Sequence, residues 1–216
     1  MPERYDVAII GAGTGGYSCA LRSAELGLRV LLIERDERVG GTCLLRGCIP
    51  TKALLRSAEI LDDVNRAEEW GIKASGEPDW SGIEAFQRRT VDKLVNGVTG
   101  LLKARAVEVR KGTATLGSGG RLEVEGEPVD ATNVVIATGS SPRLLPDVAV
   151  SEHVFTSDQA LAASSIPASA VVIGAGAVGL EFASFYRSMG AEVTVIEALP
   201  RLAPLEDEEI SKEAAR

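Results

Sequence analysis

The feature that most constrains how this chain can fold is an internal repeat. The stretch VAIIGAG at residues 7–13 returns as AVVIGAG at residues 170–176. One constant shift carries Gly11, Gly13, Gly16, Gly27 and Glu34 onto Gly174, Gly176, Gly179, Gly190 and Glu197. Each copy opens with an apolar, β-branched run, the pattern of a buried strand. A glycine turn follows, then a helical stretch ending at Gly27 or Gly190, where a left-handed residue closes a helix at no steric cost. A second apolar strand, RVLLIE or EVTVIE, ends in an acid. The pattern is a βαβ unit written twice.

Between the copies the texture changes more than once. Residues 50–65 have helical spacing, with Leu54, Leu55, Ala58 and Leu61 on one side. Residues 83–104 predict a second helix, preceded by Ser81-Gly82. The runs VEVRKGTATL, RLEVEG and ATNVVIATGS predict strands, the first two separated by the glycine-rich 117–120 stretch. Residues 141–167 carry Pro142, Pro146 and Pro167 and mark the candidate domain boundary. The expected fold class is α/β, with two Rossmann-like dinucleotide-binding units. The first domain covers 1–146 with a β-meander insertion and an incomplete carboxyl-terminal part; the second, 147–216, is the truncated start of another.

Both glycine loops follow a strand, open a helix and have an acid at the end of the next strand. In that context the first glycine makes the tight turn. The second lets backbone N–H groups approach a pyrophosphate at the positive helix terminus, and the third lets helix and strand pack closely. The acid is expected to hydrogen-bond ribose hydroxyls. Glu197 disfavours a 2′-phosphate, which points to NAD rather than NADP at the second loop. Arg201, four residues further on, pulls the other way.

Bulk properties narrow the function classes. Acidic residues outnumber basic ones 31 to 23, giving a net charge of −8, which argues against broad nucleic-acid or anionic-membrane binding. No apolar stretch is long enough to span a bilayer. Met1-Pro2-Glu3-Arg4 leads straight into a strand-like segment, so no signal or transit peptide is expected and the default compartment is a reducing cytoplasm. Three cysteines in such a compartment do not suggest a structural disulfide framework.

Cys43 and Cys48 sit in GGTCLLRGCIPTK, directly after the first βαβ unit. They could be core cysteines, zinc ligands or a reversible disulfide. The zinc reading is poor in ligands, because the chain holds only three cysteines and one histidine. Five residues of regular helix rise roughly 7.5 Å, too far for a disulfide. The segment must therefore be irregular if the bond forms. Gly47 permits that, and Pro50 suits the first turn of a helix starting just after, placing the second thiol near a helix N-terminus. Cys19, early in the first helix, is expected to be a packing residue.

Taken in order, GAGTGG, GGTCLLRGCIPTKALL, VVIATGSSP and GAGAVGLEFASFYRSMGAEVTVIEALPRLAP resemble the pyridine nucleotide–disulphide oxidoreductase family over essentially the whole chain. The run Ile49-Pro50-Thr51-Lys52-Ala53-Leu54-Leu55 is more similar to the dihydrolipoamide-oxidising members than to glutathione or mercuric reductases. The resemblance implies FAD at the first loop, through Gly11, Gly13, Gly16 and Glu34, with Gly41, Thr42, Ala114, Thr138 and Gly139 around it. It implies NAD at the second, through Gly174, Gly176, Val178, Gly179 and Glu197. Cys43 would be the interchange thiol, Cys48 the thiol facing the flavin, and Lys52 a buried cation near the flavin, paired with Glu181. Implied partners are dihydrolipoamide or a lipoyl domain of a 2-oxoacid dehydrogenase or glycine cleavage complex, and a second subunit in a homodimer.

Members of that family are much longer. The resemblance implies that the rest of the second domain, a closing segment of the first and an interface domain bearing a His–Glu base lie outside these 216 residues. The one histidine, His153, falls in the proline-punctuated connector and is expected at the surface. These residues alone are therefore expected to be inactive in lipoamide turnover, since thiol exchange needs a base. A related disulfide or mercuric reductase, and a non-catalytic nucleotide-binding fragment, stand as alternatives.

Overall fold

The computed structural model describes residues 4–216; Met1, Pro2 and Glu3, on which the leaderless start was read, lie outside the described residues. Two compact units emerge. One holds the residues up to Ile49 together with Arg89–Pro146, the other Pro50–Arg88 with Asp147–Arg216. No helix among the described residues is long and apolar enough to cross a membrane.

The first unit begins with strand β1 (Tyr5–Ile10), helix α1 (Thr14–Glu25) and strand β2 (Val30–Glu34), the predicted βαβ unit. A short helix α2 (Gly41–Leu45) follows, then helix α3 (Cys48–Asn65), which continues into the second unit. The chain returns along helix α4 (Trp80–Ala104) into strand β3 (Glu108–Lys111), a meander of β4 (Ala114–Leu116), β5 (Leu122–Val124) and β6 (Glu127–Val129), and strand β7 (Ala131–Ile136).

Strands β3-β2-β1-β7 form a parallel sheet in that order, with Ile10 opposite both Ile33 and Ile136. Period-2 alternation gives it two apolar faces. Val7, Ile9, Val30 and Leu32 pack with Ala20 of α1 and Val91, Val95 and Leu102 of α4. On the opposite face Ala8, Ile10, Leu31 and Ile33 meet Leu122 and Val124 of the antiparallel meander. Ile9, Leu31, Leu32 and Ile33 are among the most completely buried side chains. Burying each is worth roughly 1.5–3 kcal/mol. The run VEVRKGTATL, expected as one strand, is two strands in different sheets. Gly112, at φ 150°, turns the chain between them.

The second unit contains the body of α3, a 3-10 turn at Ala67–Trp70 and the start of α4. Then come helix α5 (Ser157–Leu161), strand β8 (Ser169–Ile173), helix α6 (Ala177–Ser188), strand β9 (Glu192–Ile196) and helix α7 (Glu208–Ala214). Helix α5 lies in the connector and starts at a capping box formed by Thr156 and Gln159. The core gathers Leu54 and Ala58 of α3, Ala160 of α5 and Phe182, Phe185, Tyr186 and Met189 at α6. Ser188 donates from its hydroxyl to Asp62 at 2.6 Å, fixing α6 on α3.

Strands β8 and β9 pair in parallel, Ile173 opposite Ile196. Both were expected to be buried strands. Instead one face lies open, with Val171 63%, Ile173 59% and Ile196 51% exposed. The sheet has two strands here, and no layer covers that face among the described residues.

Candidate functional site

At Gly11 and Gly16 of the first glycine loop, close approaches leave no room for side chains. Gly11, at φ 99°, is in the left-handed half of the map, and a Cβ there would lie 2.4 Å from the Ala137 carbonyl oxygen. A Cβ on Gly16 would lie 1.7 Å from the Gly11 oxygen, so helix α1 sits directly on the turn. Gly13 caps α1 with extended backbone and no side-chain partner, and no acid occupies the first turn. The terminal amides of α1 therefore keep their capacity to bind an anion.

Glu34 is buried and both carboxylate oxygens accept backbone N–H groups. Ala12 donates at 2.8 Å and Asp36 at 3.0 Å. The acid thus braces the loop from within, a role that spacing alone did not reveal; each oxygen keeps a further lone pair for a ligand.

Gly11, Gly13, Glu34, Gly41, Thr42, Ala114, Thr138 and Gly139 all line one cavity of about 180 Å³. These residues lie far apart in sequence and were singled out separately. Gly16 lies beneath the cavity as packing. Arg46 also lines it and pairs with Asp36 at 2.9 Å. Through Asp36 and Glu34, the segment between the two cysteines is tied to the glycine loop. Neither Arg46 nor Asp36 carried a motif signal.

Gly41 has φ 58°, and a Cβ on it would lie 2.5 Å from the Gly13 Cα. Helix α2 therefore starts against the glycine loop and carries Cys43. After Arg46 the chain bends so closely that a Cβ on Gly47 would press on the Thr42 carbonyl at 2.9 Å, and α3 starts at Cys48. The irregular geometry expected of the pair is present. Cys43 and Cys48 are free thiols near enough to influence each other's ionisation, Cys43 partly buried and Cys48 exposed. Burial pushes the Cys43 thiol up, and Cys48 adds to the rise; the Thr14 hydroxyl at the start of α1 opposes it. Thr14, inside GAGTGG, is a further contributor the motif did not reveal. Cys19 packs partly buried against the core, as expected.

In the second unit Lys52 of α3 pairs with Glu181 of α6 at 2.5 Å. The expected pairing is there, but the expected burial is not. The Lys52 side chain is 57% exposed, as an ammonium on a long stem favours. His153 is exposed in the connector.

The second glycine loop repeats the wiring of the first. Gly174 has φ 103°, and a Cβ on Gly179 would lie 1.9 Å from the Gly174 oxygen. Gly176 caps α6 without a side-chain partner, and Val178 lies exposed in its first turn. Glu197 accepts from Ala175 at 2.7 Å and Leu199 at 2.9 Å. Those donors, Ala175 foremost, hold its carboxyl below the usual carboxylate range.

Comparison with known proteins agrees with this geometry. The pyridine nucleotide-disulphide oxidoreductase family profile matches residues 5–216. A dihydrolipoyl dehydrogenase of Thermus scotoductus is 46% identical over 208 residues, covering 96% of this chain and 45% of the relative. Dihydrolipoyl dehydrogenases of Bacillus subtilis and Rhizobium etli are 42% and 41% identical, covering 99% and 98% of this chain and 48% of each relative. The chain spans about half the length of these curated relatives. Two glycine loops braced by acids, a thiol pair seated on the first of them, and this likeness along the whole chain lead to one conclusion: the chain belongs to the pyridine nucleotide-disulphide oxidoreductase family.

Proposed function

We propose that this chain carries the dithiol and both nucleotide loops of an enzyme that oxidises dihydrolipoamide. The observation that supports it most is the convergence of Gly11, Gly13, Glu34, Thr42, Ala114 and Thr138 on one cavity whose floor continues into the Cys43 helix. The glycine cradle and uncapped α1 amides suit the pyrophosphate of FAD, and the second loop, with Glu197, suits NAD. When bound, FAD would accept the electron pair from the dithiol and NAD would carry it off as hydride.

The chain's own residues have definite tasks. A substrate thiolate attacks the Cys43–Cys48 disulfide at Cys43, so one S–S bond breaks and a mixed disulfide forms. The second substrate sulfur then displaces Cys43. The substrate leaves as its cyclic disulfide, and the pair has gained two electrons and two protons as thiols. Thr14 supports negative charge on Cys43 while burial opposes it. Arg46 and Asp36 keep the thiol segment in register with the glycine loop. Glu181 holds Lys52 in place on the helix that opens with Cys48. The family resemblance further implies a homodimer, a lipoyl-bearing 2-oxoacid or glycine cleavage complex as partner, and a cytoplasmic setting. Dependence on a base outside these residues follows from the family resemblance.

The test is reconstitution of the full chain with FAD, followed by one equivalent of dihydrolipoamide without oxygen. Wild type should take up the flavin, and two cysteines should pass from disulfide to thiol, Cys43→Ser and Cys48→Ser each abolishing it. Steady turnover with NAD should be absent from the chain alone. A preparation that takes up no flavin, or whose disulfide is opened by reduced glutathione while dihydrolipoamide leaves it untouched, would refute the proposal.

A further inference from the structure

The constant shift that relates the two βαβ units extends past the acids. It carries Arg38 onto Arg201 and Gly40 onto Ala203. The backbone contact is repeated too. Gly40 N–H donates to the Ala12 carbonyl at 2.8 Å, and Ala203 N–H donates to the Ala175 carbonyl at 2.8 Å. In each unit, a residue beyond the second strand latches the glycine loop from outside while the acid braces it from within.

What holds the latch differs. Arg38 reaches Asp92 of α4 at 2.7 Å. Arg201 instead ties its own turn, donating to the carbonyls of Glu206 at 2.8 Å and Pro204 at 3.2 Å. Glu206 N–H and the buried Ser211 hydroxyl both return to the Ala203 carbonyl, at 3.0 and 3.1 Å. The turn needs this support, because Ala203 has φ 43°, a conformation that costs a side-chain-bearing residue free energy. The cavity of about 430 Å³ beside Glu197 is lined by two cations, Arg201 and Lys212, and Lys212 is paired with Glu208 at 2.9 Å.

We propose that Arg201 is a positioning residue of the second nucleotide site: it ties the 203–206 turn that latches the glycine loop, and is thereby withheld from a ribose 2′-phosphate. This rests on the second loop being a dinucleotide site. Arg201 then sets affinity for both dinucleotide forms alike and does not discriminate between them.

The experiment compares wild type, Arg201→Ala and Arg201→Lys in the full chain. Backbone hydrogen exchange at Ala203 is followed without nucleotide, and NADH and NADPH are titrated by fluorescence. Arg201→Ala should speed exchange at Ala203 roughly tenfold and weaken NADH and NADPH by the same factor, with Arg201→Lys restoring most of both. A loss confined to NADPH would make Arg201 a phosphate receptor and overturn the proposal. Unchanged exchange in Arg201→Ala would overturn it as well. Failure of wild type to bind either nucleotide would refute the dinucleotide reading of the site, while the exchange measurement still decides what Arg201 does.

Discussion

The two βαβ units share the hydrogen bonds of their turns but not their surroundings. In both, the first glycine donates to the end of the second strand, Gly11 to Ile33 at 2.8 Å and Gly174 to Ile196 at 2.7 Å. In both, the helix closes on a left-handed glycine, Gly27 at φ 83° and Gly190 at φ 91°. Yet Gly11 abuts Ala137 beside β7, whereas a Cβ on Gly174 would meet nothing within 4 Å. Ile33 is sealed under the meander and its counterpart Ile196 is half exposed. The contrast separates two things a sequence specifies. The nucleotide turn is a local object, complete once two strands and a helix are present. The burial that stabilises it is a property of the layers around it.

Mutations at matched positions test this separation. The largest expected effect is at the sheet faces. Ile33→Ala should cost about 2–5 kcal/mol by cavity formation in denaturant melts, and Ile196→Ala less than about 0.5 kcal/mol. Similar losses at both positions would show that the second face is covered in solution.

Next come the first glycines. Alanine at Gly11 or Gly174 meets the same left-handed strain, about 1–2 kcal/mol, but only at Gly11 does it collide with a carbonyl, adding roughly 1–3 kcal/mol. Equal destabilisation would erase the distinction drawn from β7.

The acids should differ less. Glu34→Ala strands the fully buried Ala12 N–H, at about 1–3 kcal/mol. At Glu197 the effect should instead appear as pH dependence. Its carboxyl is held below the ordinary 4.5, so its contribution is present above that value and lost as pH falls through the lower folded value. Hydrogen exchange at Ala175 should therefore show an acid-side acceleration that Glu197→Gln removes. Persistence of that acceleration would assign it to another group.

The smallest effect concerns a residue with no role in the second copy. Thr14 lowers a Cys43 pKa that burial and Cys48 raise. Thr14→Val should move the pH midpoint of Cys43 alkylation further up. No movement would remove Thr14 from the thiol's surroundings.

The sequence made the repeat legible because glycines at turns and acids at strand ends answer to local geometry, which spacing records. Helices α3 and α4 were also legible, with starts at Cys48 and Trp80 a few residues earlier than expected. What escaped depends on contacts between distant residues. Nothing local in VEVRKGTATL says which part joins β2 and which turns away at Gly112. Nothing in AVVI distinguishes a covered strand from an open one, since VAII is just as apolar. The bracing by Glu34 and Glu197, the Arg46–Asp36 pair and the Thr14 contribution to Cys43 need the fold before they exist. Around the first cavity, by contrast, Gly11, Gly13 and Glu34 were read from spacing and Gly41, Thr42, Ala114, Thr138 and Gly139 from resemblance, and all of them line it.

One contact fixes how freely these parts can be exchanged. Gly13 and Gly41 touch backbone to backbone, with no gap for even a methyl group at Gly41. The thiol-bearing segment is consequently not a portable cassette. Grafted onto another βαβ scaffold, CLLRGC would need Gly41 to travel with it, along with the turn at Gly13 on which it rests. A host with a side chain at the Gly41 position would hold the two sulfurs at the wrong height above its nucleotide turn, however well the helices that carry them folded.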